Sequence, residues 1–324
     1  MATLVQAPDA TVEALGCKLR APGTSLPDKY RALFSLRNVA GPGATAALTA
    51  ALQDESDLFR HDVAFCLGQR QDPAAVGVLK QLVADAAQHP MVRHEAAEAL
   101  GAIADPGCLE VLQRHAGDAC QEVAETCQLA LGRLAYLEQQ KAAPGGGAGG
   151  GAEDEQSPYF SVDPTPALPA GTPLEQLRGT LLDAAAPMFE RYRALFALRN
   201  RGGAEAVAVL GEAFGTSSAL LKHEVAYVMG QMQHPASADV LCRVLQDASE
   251  HAMVRHEAAE ALGAVADAAS VALLQRCAAD PEPIVAHSCV VALDMLEHER
   301  SGAFEYADTA GATAGAAAAE PQRA

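Results

Sequence analysis

The chain has no tryptophan, and aromatic residues make up only 4% of its 324 positions. A core must therefore be built from Ala, Val and Leu, small and unbranched enough for helices to pack closely. Alternating β-branched stretches are scarce, which argues against a sheet. Cations are scarce as well: 23 Lys and Arg stand against 41 Asp and Glu, a formal net charge of -18. That balance excludes nucleic acid as the main partner, because phosphate binding needs a basic footprint. It suits a basic partner or a cationic substrate, although acidic helix faces also serve solubility alone. No apolar run approaches the length of a membrane span, so no membrane association is expected. The eight cysteines form no CxxC pair and sit among Ala, Val and Leu. With no signal-peptide pattern at the start, this predicts a reduced, cytoplasmic protein.

What the chain does have is itself, twice. MVRHEAAEALGAIAD begins at Met91 and MVRHEAAEALGAVAD at Met253, differing only at Ile103 against Val265. RALFSLRN at Arg31 matches RALFALRN at Arg193, again 162 residues on. The expected division is a first half over 1–138, a Gly- and Pro-rich flexible linker over 139–173, a second half over 174–302 and a disordered tail over 303–324. The glycines at 145–147 and 149–151 are read as linker and not as a phosphate-cradling loop, because no Gly-Lys-Ser/Thr follows and no strand precedes.

Each half divides again. Helical patterns recur in pairs every 31 to 33 residues, for example 74–87 with 91–104 and 237–248 with 253–266. Pro90 suits the first turn of the helix it opens. Two helices per repeat of this length predict an all-α helical solenoid of eight hairpins in two duplicated halves. A single hairpin cannot bury its own apolar stripe, whereas a stack can.

Aligning the second helix of each repeat isolates what differs. The register reads Lys29, His61, His94 and Glu125, then Arg191, His223, His256 and His287. The next residue is Asp62, Glu95, Glu224 and Glu257 in the middle repeats, and no acid in the outer ones. Duplication copies residues, so these four pairs are not independent. Copying alone, however, would have given the outer repeats the pair too. His287 has the histidine without the acid. In the helix from Met91, His94 lies roughly 200° and Glu95 roughly 300° around from Val92. His94 thus points away from the apolar stripe, either as a solvated histidine or as a ligand.

Helices in contact lie about 8–10 Å apart. His61 with His94, and His223 with His256, can therefore converge on a metal. Imidazole and carboxylate without thiolate suit iron or another first-row metal better than structural zinc, and two His with one carboxylate is the facial set of non-haem Fe(II) oxygenases. The residues alone leave iron, zinc and manganese open.

The eight-repeat plan and the segments HDVAFCLGQ, HEAAEALG, HEVAYVMGQ and HEAAEALG resemble the deoxyhypusine hydroxylase family of HEAT-repeat proteins. The resemblance covers nearly the whole chain apart from linker and tail. It implies one iron held by His61, His94 and Glu95, and another by His223, His256 and Glu257. It implies that Asp62 and Glu224 hold a cationic substrate, and that Gly68 and Gly230 match glycines tied to substrate binding. Small residues permitting tight helix contact are an equal reading of those two glycines. The implied reaction is O2-dependent hydroxylation of deoxyhypusine in translation initiation factor five A, using two Fe2+ ions. Asp62 departs from the family, which has glutamate there. A non-catalytic scaffold of the phycobilin-lyase-like type and a dinuclear hydrolase are the rival readings. A solenoid with internal two-fold character is expected to work as a monomer.

Overall fold

The structure is a computed structural model that describes residues 4–142 and 157–301. Among these residues, sixteen α-helices follow one another in pairs: α1 (Asp9–Arg20) with α2 (Leu26–Asn38), α3 (Pro42–Ala51) with α4 (Asp57–Arg70), α5 (Val76–Ala84) with α6 (Pro90–Ile103), and α7 (Leu109–His115) with α8 (Gln121–Ala142). The second half repeats the plan as α9 (Leu174–Leu182) with α10 (Met188–Arg201), α11 (Gly203–Glu212) with α12 (Ala219–Met232), α13 (Ala238–Gln246) with α14 (Ala252–Val265), and α15 (Ala268–Cys277) with α16 (Pro283–Ser301). The only β pairing among the described residues is the isolated bridge Val5–Val39. The all-α solenoid of eight hairpins is thus observed. The expected helices 74–87 and 237–248 are shorter than anticipated: Asp85 and Asp247 leave the helix, and each side chain accepts from an amide two residues on, of Ala87 and Ser249. Such Asx turns compete with helix.

Local chemistry fixes the helix ends. Ser25, Ser56 and Ser218 cap α2, α4 and α12 by accepting from Asp28, Phe59 and Leu221 amides. His89 and His251 do the same for α6 and α14 through Nδ1. Two of the ten histidines are thereby accounted for as caps.

The even-numbered helices pack side by side, α4 on α6 on α8 and α12 on α14 on α16. They form the inner layer, and the odd-numbered helices bury a single stripe outside it. In α13 only Leu241, Val244 and Leu245 are buried, whereas eleven of the fourteen residues of α6 are. The inner layer is close because small residues face each other. A Cβ added to Gly68 would lie 2.8 Å from Ala99 Cα, and one added to Gly101 would lie 2.9 Å from Ala130 Cβ.

Two seams join the halves. At one, α16 packs on α2 and α4, and Arg31 donates to Asp294 from Nε at 2.9 Å and Nη2 at 2.6 Å. At the other, α8 packs on α10 and α12, and Ser218 donates to Glu125 at 2.6 Å. First and last repeats thus meet, and the inner faces of the two halves oppose each other.

Of the span 139–173 read as linker, 139–142 belong to α8, and 143–156 lie outside the described residues, as does the tail 303–324. Residues 157–173 are held against both halves. Val162 exchanges hydrogen bonds with Gln69 of α4, its amide donating at 2.8 Å. Asp163 accepts from Arg199 of α10, and its carbonyl accepts from Arg133 of α8. Flexible composition does not prevent docking when an acid meets a buried cation.

Candidate metal centre

The opposed inner faces bring His61, His94, His223 and His256 into one cluster. Ring centroids of His61 lie 5.4, 6.0 and 5.3 Å from those of His94, His223 and His256. His223 is 5.6 Å from His94 and 5.2 Å from His256. Donor atoms of His61, His94 and Glu95 come within 4.8 Å of one another, and so do those of His61, His223 and His256. Glu95 Oε2 lies 3.3 Å from His61 Nε2, and Glu257 Oε2 lies 3.3 Å from His223 Nε2, so the two halves repeat the same His-acid approach.

His94 and His256 are fully buried. The polar face of α6, read from the sequence as turned away from the core, does turn away from its own half. It is covered by the other half, which one helix's periodicity cannot reveal. Neither ring nitrogen of His94 or of His223 has a hydrogen-bond partner, nor do Nε2 of His61 and of His256. An unpaired buried polar atom costs about 1–3 kcal/mol, so six in one place call for a ligand. Lone pairs of imidazole and carboxylate, converging without thiolate, fit a first-row metal ion.

At His94 and His256 protonation is consistent with ligation. Burial pushes His94 and His256 well below the ordinary imidazole range, and the neighbouring histidines push the same way. The shift favours the neutral form of both rings, the form that can donate a lone pair. Burial lowers His61 too, but the carboxylates of Asp62 and Glu95 outweigh it and hold that ring well above its usual range.

Beside the cluster lies a cavity of about 480 Å³. Six carboxylates line it: Asp62, Glu95, Glu98, Glu224, Glu257 and Glu260, with Phe34, Phe65, Tyr227 and Met295 forming apolar wall. Burial raises Glu98, Glu224 and Glu260 well above the usual carboxylate range, and the surrounding acids add to it. Such a pocket is short of positive charge, which metal ions and a cationic guest would supply.

Glu98 and Glu260 were not singled out in the sequence. Each stands four residues after a cluster histidine, only about 40° around the helix from it. The spacing in HEAAE was visible, but an i+4 acid on a helix is commonplace. The register of the outer repeats also needs correcting. Arg191 donates to Leu181 O as Arg93 does to Val83 O and Arg255 to Leu245 O. Tyr192 therefore takes the histidine position, and Tyr30 likewise, one residue later than the Arg191 and Lys29 read from sequence. Pattern alone could not fix that register, because Lys-Tyr and Arg-Tyr offer a polar residue at either step. His287 is exposed and outside the cluster.

Gly68 and Gly230 do not line the cavity. They lie against Ala99 and Ala261 of the neighbouring helices. Gly68→Ala is expected to destabilise by about 1–3 kcal/mol, since backbone must shift. Gly77→Ala, where nothing lies within 4 Å, is expected to be neutral or stabilising by up to ~1 kcal/mol. Urea unfolding of the two variants checks both.

Stacked helical hairpins enclosing a His- and carboxylate-rich centre that could hold metal define a HEAT-type protein, and the HEAT repeat family matches residues 224–294, while the PBS lyase HEAT-like repeat matches 92–118 and 190–216. Human deoxyhypusine hydroxylase is 50% identical over 92% of this chain and 95% of its own length. Deoxyhypusine hydroxylase-B of Oryza sativa subsp. japonica is 52% identical over 86% and 90%. The solved human enzyme in complex with glycerol superposes with a TM-score of 0.83, covering 90% of this chain and 97% of that one. The chain belongs to the deoxyhypusine hydroxylase family, and is an enzyme of the monooxygenase class. Among the described residues, no helix is long and apolar enough to cross a membrane.

Proposed function

We propose that the chain hydroxylates the deoxyhypusine side chain of translation initiation factor five A, in the cytoplasm, with two iron ions and O2. The observation that carries this reading is the buried four-histidine cluster opening on an acid-lined cavity. His61, His94 and Glu95 hold one iron, and His223, His256 and Glu257 hold the other. When bound, the irons supply the one-electron and O2 chemistry that amino acids lack. The two halves, 1–138 and 174–302, each contribute four repeats and one ligand set, joined through 139–173.

The protein's own part is binding and placement. The substrate side chain is an extended lysine carrying ammonium groups along an aliphatic stem. Its stem fits the apolar wall of Phe34, Phe65 and Tyr227. Its charge fits Glu224, which is buried and accepts no hydrogen bond from the described residues, and the nearby Glu98 and Glu260. A charge-assisted bond inside a low-dielectric pocket is stronger than the same bond in water. Asp62 shares the wall, but Tyr30 and His61 already engage its carboxylate. The acidic exterior steers the basic region of the partner, and raising ionic strength is expected to slow association.

The deciding experiment is mass analysis of deoxyhypusine-bearing factor after incubation with the protein, Fe(II), a reductant and O2. One added oxygen on the modified lysine, absent without O2, is the expected result. Product formed without O2 would point to a hydrolase. No product and no bound metal would point to a scaffold.

A further inference from the structure

The two halves of the site differ where the duplication has drifted. In the second half, Tyr192 Oη donates to Leu220 O at 3.4 Å, and among the described residues His223 Nδ1 has no hydrogen-bond partner and no tyrosine donates to Glu224. In the first half, Tyr30 donates to Asp62 Oδ2, and the other oxygen, Oδ1, lies 3.2 Å from His61 Nδ1. All three residues are buried: Tyr30 at 1%, His61 at 4% and Asp62 at 6% exposure. Tyr30 is itself locked edge-on against Phe34 and Phe59, with centroids 5.8 and 5.5 Å away. An aspartate is one methylene shorter than glutamate. Its carboxylate is drawn back toward its own helix, within reach of the adjacent ring and of the phenol on α2.

From this contrast we propose that Tyr30 is a positioning residue for the metal centre, holding Asp62 so that Asp62 takes the Nδ1–H of His61. The inference rests on the reading of His61 as a metal ligand. A carboxylate on one ring nitrogen fixes the tautomer and orientation of the ring, and leaves Nε2 as the lone pair that meets the ion. Nε2 of His61 is the atom that lies beside Glu95 and lacks a hydrogen bond. The orphan pattern agrees: Nδ1 of His61 is satisfied while Nδ1 of His223 is not. Asp62 is thus spent on orienting a ligand, and Glu224 is left as the anchor for the substrate's ammonium. The two ions are held unequally, the one at His61 by a tied ring and the one at His223 by a looser ring.

The test compares Tyr30→Phe, Asp62→Asn, Glu224→Gln and, as a control for losing a buried phenol, Tyr192→Phe. Metal affinity is titrated with Fe(II) and Co(II) without O2, the Co(II) spectrum is recorded, and binding of a deoxyhypusine-bearing peptide is measured on the metal-saturated proteins. Tyr30→Phe and Asp62→Asn are expected to weaken one of two metal ions by about 10-fold or more, the range for lost outer-sphere partners. They should also alter the Co(II) spectrum and leave peptide affinity within about twofold, a change under ~0.5 kcal/mol. Glu224→Gln should leave both metals and weaken the peptide at least ~10-fold, as the loss of a buried charged partner does. Tyr192→Phe should change neither. Metal binding unaltered in Tyr30→Phe, or lowered equally in Tyr192→Phe, overturns the proposal. So does Asp62→Asn that keeps both metals and loses the peptide. Should Tyr30→Phe fail to fold, Asp62→Asn alone decides. A wild-type protein that binds no metal overturns the ligand reading itself, which distinguishes that failure from this one.

Discussion

His94→Ala is expected to reduce bound metal from two ions per chain to one and to lower oxygen incorporation by at least ~100-fold. Loss of outer-sphere partners alone already costs about 10- to 100-fold, and His94 is assigned to the inner set. Its ring is fully buried, and both nitrogens lack any hydrogen bond. Among the described residues its ring contacts are with His61 and His223 of the same cluster, 5.4 and 5.6 Å away, so its loss acts on the metal centre. The contrast is His287→Ala. That histidine occupies the same register in α16, but it is exposed, and both ions and activity should persist. Elemental analysis of the purified variants, beside mass analysis of the product, separates the two. Equal damage from both changes would dismantle the assignment of ligands.

Asp163→Ala is expected to destabilise the protein by about 3–5 kcal/mol, the penalty for stranding one member of a buried ion pair. The Arg199 side chain is wholly inaccessible to solvent. Asp163 accepts from both its terminal nitrogens, at 2.9 and 2.5 Å, and Gln231 and Ser157 take further bonds. The guanidinium also stacks between Tyr159 and Phe196, 4.6 and 4.7 Å from the ring centres. Without the aspartate, that charge stays buried and uncompensated. Glu212→Ala removes the partner of Arg178, where both side chains are 43% exposed, and under ~1 kcal/mol is expected there. Urea denaturation midpoints at constant m-value measure both.

The two variants mark where the sequence speaks and where it does not. Repeat length, the near-identical segments at Met91 and Met253 and the His-acid pairs follow from local periodicity, and periodicity was legible. The cluster histidines were legible for the same reason: they interrupt a pattern that the outer repeats keep. Asp163 was not, because its meaning lies in Arg199, far along the chain and inside another helix. Pro- and Ser-rich composition around it describes the unfolded tendency of the segment, not the cation waiting for it. Glu98 and Glu260 escaped notice because a helix-surface acid and a cavity acid look alike until the opposite half is in place. Tyr30 fell to a one-residue error in register, which the arginine-to-carbonyl contact resolves at its duplicate Tyr192, 162 residues on.

The seam between α16 and α2 also has a consequence for biosynthesis. Neighbouring repeats touch across some thirty residues, so each can fold as it leaves the ribosome. The contact of Arg31 with Asp294 spans 263 residues and must wait for the last helix. An emerging chain presents His61, His94 and Glu95 long before His223 and His256 have been made. A chain stopped short of Ala252 can fold its early repeats, yet it never closes the four-histidine cluster. On the proposed ligand sets, a second metal can be held only after the helices carrying His223, His256 and Glu257 have emerged.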